Sequence, residues 1–281
     1  MSDISNTIIN QYSYNAHAGA GLISQVTRVI CVMLPHELIV AGFSTQGDLL
    51  MVRHSEYKKS ISPWGLDFFE HQFSTELLLT NNEIVKHIFI GSDKYMVVPD
   101  ELYNQGKAEK WLQQLYYVPN DEVISIQPLR KDQANYIYAW ESAIKSLLTR
   151  YFPHAKVMPF AAYQFFKPYN KTDYSLQCCI TAGQVYATLY KSRSIHWHQV
   201  FNYETAEDIA YQIKLLCKEN GIPEDQLSVQ SSVSNIGLLD TLNTLCEYFD
   251  VEKEGTTGPF NADPTWGVTN NMLQQLNACA S

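Results

Sequence analysis

Residues 27–54, TRVICVMLPHELIVAGFSTQGDLLMVRH, hold three short β-rich runs separated by two breaks. The first break, 34–37, contains a proline, and the second, 45–48, carries glycine where a tight turn tolerates positive φ. Short β-branched and apolar runs bounded by turn residues are typical of strands. The stretch therefore predicts an antiparallel meander of three strands.

The segments after this meander predict a helical crossover and further strands. Phe69, Phe73 and Leu77 recur at near-helical spacing, which predicts a helix over 67–80. Residues 86–91 then predict a fourth strand. Further strands are expected at 95–99, 123–126 and 136–139, and helices at 108–117 and 139–152.

The second half of the chain repeats this element order with little similarity of residues. Strands are predicted at 174–180, 185–190, 195–201 and 227–231, with helices over 205–220 and 235–248. Thr205 and Asp208 resemble a capping box at the start of the first helix. A meander followed by a helical crossover predicts a mixed sheet with helices packed on it, in an α/β fold that occurs twice. The alternative is a coincidence of common elements.

The expected domains follow from this repeat. Residues 1–25, rich in Asn, Ser, Gly and Ala, are expected to be a poorly ordered lead-in. The first lobe then covers 26–168 and the second covers 169–281, including a tail from about residue 250.

The amino-acid composition limits the classes of protein to which the chain can belong. The 281 residues are 46 % hydrophobic and 12 % aromatic, which argues against disorder, and the net charge of −9 disfavours nucleic-acid binding. The chain has neither a signal-peptide pattern nor an apolar run of the ~18 residues that span a membrane, so we expect a cytoplasmic protein. Six cysteines without a CxxC motif are expected to be reduced, with Cys31, Cys178 and Cys217 buried.

Two short motifs carry a resemblance to a known family. They are YMVVPDEL at 95–102, a strand that ends in Val-Pro, and QVFNYETAEDIAY at 199–211, an aromatic strand that runs into an acidic helix cap. The sequence resembles an uncharacterised bacterial family labelled only as a domain of unknown function. The resemblance implies the actin-like ATPase-domain (ribonuclease H-like) fold of actin, Hsp70 and sugar kinases, in which two such lobes flank a nucleotide cleft.

The phosphate-binding positions of that superfamily can be checked residue by residue. Active members carry Asp-x-Gly in the first hairpin of each lobe, because the carboxylate holds Mg²⁺ or a water and glycine admits phosphates to backbone amides. The first hairpin here, MLPHEL at 33–38, has no Asp-x-Gly and no glycine. The second, ITAGQ at 180–184, keeps Gly183, but Thr181 and Ala182 supply no carboxylate.

The adenosine-binding turn also departs from the pattern. Active members have Gly-Gly between strand and helix, whereas the matching segment 229–237 reads VQSSVSNIG, so that Gln230 and Ser231 replace the glycines. The candidates for a degenerate cleft are the small or polar residues at these positions: Gly183, Ser231, Ser232, Ser234 and Asn235. We expect no catalytic residue, no metal ligand, no cofactor and no ATP hydrolysis.

Other chemistry-bearing residues have plain alternatives. His196 and His198 share a strand face and could hold a metal, but no third ligand is spaced to complete a site, which favours two half-exposed histidines. Adjacent Cys178 and Cys179 point to opposite faces and favour core thiols over a nucleophile. Asp67, Glu70 and His71 form either an acid–base pair or an ordinary helix surface.

The function expected from these patterns is a non-catalytic binding or scaffolding module with a degenerate ATPase fold. The alternative is a phosphotransferase or ATPase of the same superfamily with an altered nucleotide site. The expected partner is a protein or a second copy of the chain, with no membrane. The resemblance also implies a neighbouring ribosomal-RNA methyltransferase gene, and through it a role near ribosome maturation.

Aromatic residues are the expected means of binding that partner, since Tyr and Trp are enriched at interfaces. The candidates are Trp197, Tyr203, Phe260 and Trp266. The tail 250–267 is rich in Gly and Pro with embedded aromatics, so it predicts either a segment docked in a groove through Trp266 or a simple linker.

Overall fold

The structure, a computed structural model, describes residues 8–16, 21–57, 65–103, 108–166, 172–253 and 267–279. Its strands, in chain order, are β1 (Ile8–Asn15), β2 (Arg28–Leu34), β3 (Glu37–Phe43), β4 (Leu49–Tyr57), β5 (Val85–Ile90), β6 (Tyr95–Pro99), β7 (Glu122–Leu129), β8 (Ala134–Glu141), β9 (Lys156–Pro159), β10 (Tyr174–Thr181), β11 (Gln184–Lys191), β12 (Ser194–Asn202), β13 (Leu227–Val233) and β14 (Val251–Lys253). Its α-helices are α1 (Leu66–Thr75), α2 (Leu77–Thr80), α3 (Ala108–Leu115), α4 (Ser142–Tyr151), α5 (Ala162–Phe166), α6 (Ala206–Glu219), α7 (Leu239–Leu245) and α8 (Gly267–Cys279).

The described residues divide into two compact units, with the boundary between Ala162 and Tyr163. The sequence places a lobe boundary a few residues later, between 168 and 169, and those domain limits stay a prediction.

The first unit is built on a six-stranded sheet with the order β1-β4-β3-β2-β5-β9. Strands β2, β5 and β9 are parallel, and the remaining neighbours are antiparallel. Every residue of β3 is buried, as are six of the seven in β2, which is typical of central strands that are buried on both faces. A separate antiparallel sheet, β6-β8-β7, packs against α3 around Val98, Leu112 and Ile137.

The second unit has one five-stranded sheet with the order β12-β11-β10-β13-β14, in which β10, β13 and β14 are parallel. Alternate residues of its strands point to opposite faces. One face, with Leu176 and Cys178, packs on apolar residues of α6 and α7. On the other face, Cys179 Sγ lies 3.6 Å from Met272 Sδ of α8.

Five strands of the first sheet and the five strands of the second therefore share an order and a set of directions. Strands β4-β3-β2-β5-β9 correspond to β12-β11-β10-β13-β14. The element order predicted for the two halves is found in both units. Duplication is one explanation of this common topology, and it stays a prediction.

Local sequence patterns predicted the positions of most helices and strands correctly. The capping box is present at α6: Thr205 Oγ1 accepts from the Asp208 amide, and the Asp208 carboxylate accepts from the Thr205 amide. The amides of Thr205 and Glu204, which both donate to the Asp208 carboxylate, lower the pKa of Asp208. All six cysteines are free thiols, and Cys31, Cys178 and Cys217 are buried as predicted.

Three local predictions are wrong. The expected poorly ordered lead-in contains β1, which pairs with β4 and half-buries Tyr12 and Tyr14. The single helix expected over 67–80 is two helices, because extended Glu76 interrupts it and its carboxylate caps Leu78 of α2. The helix expected over 235–248 is a 3-10 turn, Ile236–Leu238, followed by the shorter α7.

Candidate functional site

The predicted site residues lie where the parallel strands β10 and β13 of the second sheet end. Open α/β sheets bind ligands outside the carboxyl ends of their strands. In the second unit, this edge holds the β10–β11 hairpin and the end of β13, which are adjacent because the Ser234 amide donates to the Ile180 carbonyl at 2.9 Å. The structure thus brings Gly183, Ser234 and Asn235 to one edge of the sheet.

Turn geometry and internal hydrogen bonds account for the β10–β11 hairpin. Gly183 has a φ of 84°, a left-handed conformation that glycine adopts without steric cost. Thr181 Oγ1 donates to the Gln184 carbonyl at 2.9 Å, and Tyr203 OH donates to the Thr181 carbonyl at 2.8 Å. The prediction that Tyr203 is an interface aromatic is therefore wrong, since its ring is 8 % exposed and its hydroxyl is bonded within the unit.

Side chains at the end of β13 are enclosed. Ser231, Ser232, Ser234 and Asn235 are each at most 1 % exposed. Ser231 lies opposite Cys178 in the strand register, on the face that packs against α6 and α7. Ser232 Oγ donates to the Cys178 carbonyl at 3.4 Å, and Asn235 Oδ1 accepts from the Gly237 amide at 2.8 Å to start the following 3-10 turn.

These residues do not fit Mg²⁺-nucleotide binding of the kind that the fold family implies. The second hairpin carries no carboxylate for a cation, and the four polar side chains after it are too enclosed to contact a ligand. Within the described part of the chain, no group of three or more His, Cys, Asp and Glu is placed to hold a metal. No phosphoryl-transfer step follows from this geometry.

The corresponding hairpin of the first unit holds a buried acid–base pair that the sequence did not reveal. Glu37, the first residue of β3, is fully buried, and its Oε1 lies 3.2 Å from Nε2 of His54 on β4. The Tyr12 ring covers His54 at a centroid distance of 5.5 Å. Glu37 was visible in the sequence as a charged residue beside an apolar strand, but its partner depends on the β3–β4 register.

This pair affects the two tyrosines beside it. Burial raises the pKa of Tyr57, and the Glu37 carboxylate adds to the rise. Burial also raises the pKa of Tyr12, with smaller contributions from Glu56 and Glu37. Tyr57 OH donates to the Leu34 carbonyl. Because the Glu37 side chain is enclosed and bonded to His54, it does not replace the cation-binding carboxylate of an active hairpin.

A second buried polar cluster links four elements of the second unit, α5, β10, β11 and β12. Gln164 of α5 donates from Nε2 to the carbonyls of Gln177 and Tyr186, at 3.3 and 3.0 Å. Its Oε1 accepts from Thr188 Oγ1 at 2.8 Å, and that hydroxyl lies 2.8 Å from His198 Nδ1. Since the hydroxyl proton goes to Gln164, Nδ1 of His198 carries a proton and donates to Thr188.

The two predicted strand histidines thus have different surroundings. Burial lowers the pKa of His198 to about 3, and the ring meets Phe165 edge-on at 5.0 Å. His196 is exposed, and Trp197 between them packs against the core of the unit. The two histidines therefore do not share one environment, and Trp197 is a half-buried core residue.

The remaining candidates from the sequence are the cluster on α1 and the adjacent cysteines of β10. Glu70 bonds to Arg150 and to Tyr151 OH on α4, while Asp67 and His71 are exposed. Cys178 and Cys179 are buried on opposite faces of β10, and burial raises the pKa of Cys178. Phe260 and Trp266, and with them the docked-tail prediction, lie outside the described residues.

Comparisons with known proteins agree with this fold. A family model described as "Protein of unknown function (DUF3822)" matches residues 38–249. A Bacteroides thetaiotaomicron protein of unknown function with an actin-like ATPase fold has a TM-score of 0.73 at 12 % identity, over 94 % of this chain and 100 % of that chain. A structure of the PilM–PilN type IV pilus biogenesis complex has a TM-score of 0.57 at 12 % identity, over 92 % and 99 %.

The comparison with curated proteins gave no match. The solved structures, at these identities, establish the fold: a mixed α/β protein of the actin-like ATPase type. Among the described residues, no helix has the length and hydrophobicity needed to cross a membrane.

Proposed function

The chain belongs to that family of unknown function, and we propose that it is a non-catalytic protein-binding module that keeps an actin-like ATPase fold without nucleotide chemistry. One observation carries the proposal. Both hairpin edges contain polar side chains that are enclosed and hydrogen-bonded within their own unit: Glu37 with His54 in the first, and Ser232 and Asn235 with backbone in the second.

A protein partner is favoured by the surface and by one of the structural relatives. Six apolar side chains of the described residues are more than half exposed, and Leu102, Leu115 and Tyr117 of these lie between β6 and β7. Tyr117 is 84 % exposed, which gives a rigid ring for a contact at low entropic cost. PilM, which shares the fold, is described in a complex with PilN.

Three further expectations from the sequence bear on this proposal. A cytoplasmic location agrees with the six free thiols. The alternative of a phosphotransferase with an altered site would need a carboxylate at a hairpin that can hold a cation. Glu37 is enclosed, and half-buried Glu56 opposite it accepts a hydrogen bond from Asn10 Nδ2 at 3.0 Å. The ribosome-maturation link stays a prediction that no described residue bears on.

The proposal is tested by measuring turnover and association on the same preparation. We expect no phosphate release from Mg²⁺-ATP above a protein-free blank. We also expect the chain to co-purify with one defined partner, or to self-associate by light scattering, and the Leu115→Ser/Tyr117→Ser double variant to weaken that association at least tenfold.

Leu77→Ser/Tyr211→Ser, which replaces two equally exposed residues elsewhere, is the control and should leave association unchanged. ATP turnover by the wild type would overturn the non-catalytic part. The binding part would be overturned if the wild type is a monomer and co-purifies with no protein that the double variant does not also retain.

A further inference from the structure

A surface cavity of about 520 Å³ lies in the first unit, at the amino ends of β2, β5 and β9. This is the edge opposite the β2–β3 hairpin. The cavity is lined by hydroxyl and basic side chains: Thr27, Arg28, Ser44, Thr45, Lys86, His87, His154 and Lys156. Five of these eight residues are basic, and none is a carboxylate.

Strand register explains how residues from distant parts of the sequence meet here. His87 of β5 lies directly opposite Lys156 of β9 and opposite Ile30 of β2. Arg28 is two residues before Ile30, so it shares the sheet face of His87. Lys86 is the extra residue where the β2–β5 register shifts, and such bulges redirect side chains at sheet edges and near functional sites.

The basic side chains of the cavity affect the imidazole of His87. Burial, together with the positive charges of Lys156, Arg28 and Lys86, lowers the pKa of His87 to about 4. Neither Lys86 nor Lys156 forms an ion pair with a carboxylate of the described residues. Asp48 is hydrogen-bonded to the Ser44 hydroxyl in the adjoining turn and does not line the cavity.

The same edge of the second sheet shows that topology does not dictate this charge. There, Asp173 precedes β10 and Asp250 precedes β14, beside Lys191 and Arg193 at the β11–β12 turn. Charges of both signs therefore occupy the matching positions. In a chain of net charge −9, a cavity lined by basic and hydroxyl side chains alone is a specific feature of the first unit.

We propose that this cavity binds a small phosphate-bearing anion. Ammonium, guanidinium and hydroxyl donors converging on one concave site are suited to phosphate oxygens. The volume is in the range of small-molecule sites. A nucleic acid needs an extended basic surface to offset its backbone charge, and the chain as a whole is acidic, so the small anion is the better match.

The test uses the full chain and inorganic pyrophosphate, titrated by calorimetry in low-salt buffer without divalent metal. We expect saturable binding that weakens at least tenfold in Lys156→Ala and in Lys86→Ala, since each removes a charge-assisted hydrogen bond. Lys110→Ala removes the same charge from exposed α3 and should bind as the wild type does. Citrate, an anion without phosphate, should bind at least tenfold more weakly.

Nuclear magnetic resonance of the His87 ring gives an independent readout. A bound anion offsets the three neighbouring cations, so pyrophosphate should raise the pKa of His87 and leave exposed His196 unchanged. Absence of heat at millimolar pyrophosphate, equal weakening in Lys110→Ala, or an unmoved His87 would overturn the proposal. Tighter binding of a 12-nucleotide single-stranded RNA than of pyrophosphate would overturn its small-ligand part.

Discussion

The two sheets share a strand order but place different polar groups at corresponding hairpins. The hairpin edge of the first carries the buried Glu37–His54 pair, whereas that of the second carries neutral hydroxyls and amides of Thr181, Ser232 and Asn235. In both, a tyrosine from the end of the third meander strand donates to the last carbonyl before the turn: Tyr57 to Leu34, and Tyr203 to Thr181.

This difference between the two hairpins indicates that different residues determine the strand topology and the polar groups of each sheet. Apolar residues facing alternate sides of the strands build both sheets, and a tyrosine hydroxyl fixes each hairpin. The remaining polar groups differ between the two hairpins, and a substitution that leaves the buried partner of such a group unpaired costs about 1–3 kcal/mol. The buried Glu37–His54 pair and the neutral network of the second unit should therefore respond differently to substitution.

Breaking the Glu37–His54 pair should give the largest effect. Glu37→Ala leaves His54 buried without its partner, and removing one member of a buried pair costs about 3–5 kcal/mol. Urea denaturation followed by circular dichroism measures the loss. Glu56→Ala, a half-buried carboxylate on the same strand as His54, is the matched control and should cost far less. Equal losses of unfolding free energy in both variants would show that the Glu37–His54 pair stabilises the fold no more than an ordinary half-buried carboxylate does.

Breaking the neutral network should cost less. Gln164→Leu removes the donor to Gln177 and Tyr186 and the acceptor for Thr188, so we expect a loss of about 2–3 kcal/mol in the free energy of unfolding. Gln226→Leu, at an exposed glutamine of the same unit, should be within about 0.5 kcal/mol of the wild type. A Gln164→Leu loss above that of Glu37→Ala would reverse the ranking.

Acid should destabilise the second unit through His198. The pKa of His198 is lowered from 6.5 to about 3 in the folded protein. Between these two pH values, the unfolded chain therefore binds a proton at His198 and the folded chain does not. The stabilisation is present above pH 6.5 and is lost as pH falls, by up to about 1.4 kcal/mol per unit. His198→Asn should flatten the stability profile between pH 7 and 5, whereas His196→Asn should leave it unchanged. Identical slopes in all three proteins would exclude His198 as the source.

The two hairpin tyrosines should give the smallest and most similar effects. Tyr57→Phe and Tyr203→Phe each delete one hydrogen bond to a carbonyl and keep the ring, which costs about 1 kcal/mol. Thermal unfolding compares the two, with exposed Tyr211→Phe as control. If one variant lost several times more than the other, the hydroxyls would not serve equivalent hairpins.

Local sequence signals were sufficient for much of the fold. The turn residues at 45–48 and 181–184, the apolar alternation and the Thr205–Asp208 box indicated the meanders and α6. Strand β1 was missed because its residues are mostly polar and it is held by pairing with β4, which no local pattern reports. The break at Glu76 was missed because the flanking apolar spacing continues through it.

The candidate sites were harder to predict because they depend on register. Glu37 meets His54 across two strands, and Gln164 meets Thr188 from a five-residue helix. The cationic cavity collects residues from four segments, 27–28, 44–45, 86–87 and 154–156. The absence of Asp-x-Gly could be read directly from the sequence, whereas the enclosure of Ser231 and Asn235 required the structure.

Calorimetric titration of the full chain with ATP, with and without Mg²⁺, tests the central claim most directly. With the polar groups of both hairpins enclosed within their units, we expect no saturable heat at micromolar to millimolar nucleotide in the presence of Mg²⁺. Heat that appears only without Mg²⁺ and disappears in Lys156→Ala would belong to the cationic cavity. A micromolar dissociation constant that requires Mg²⁺ and is unchanged in Lys156→Ala would contradict the account.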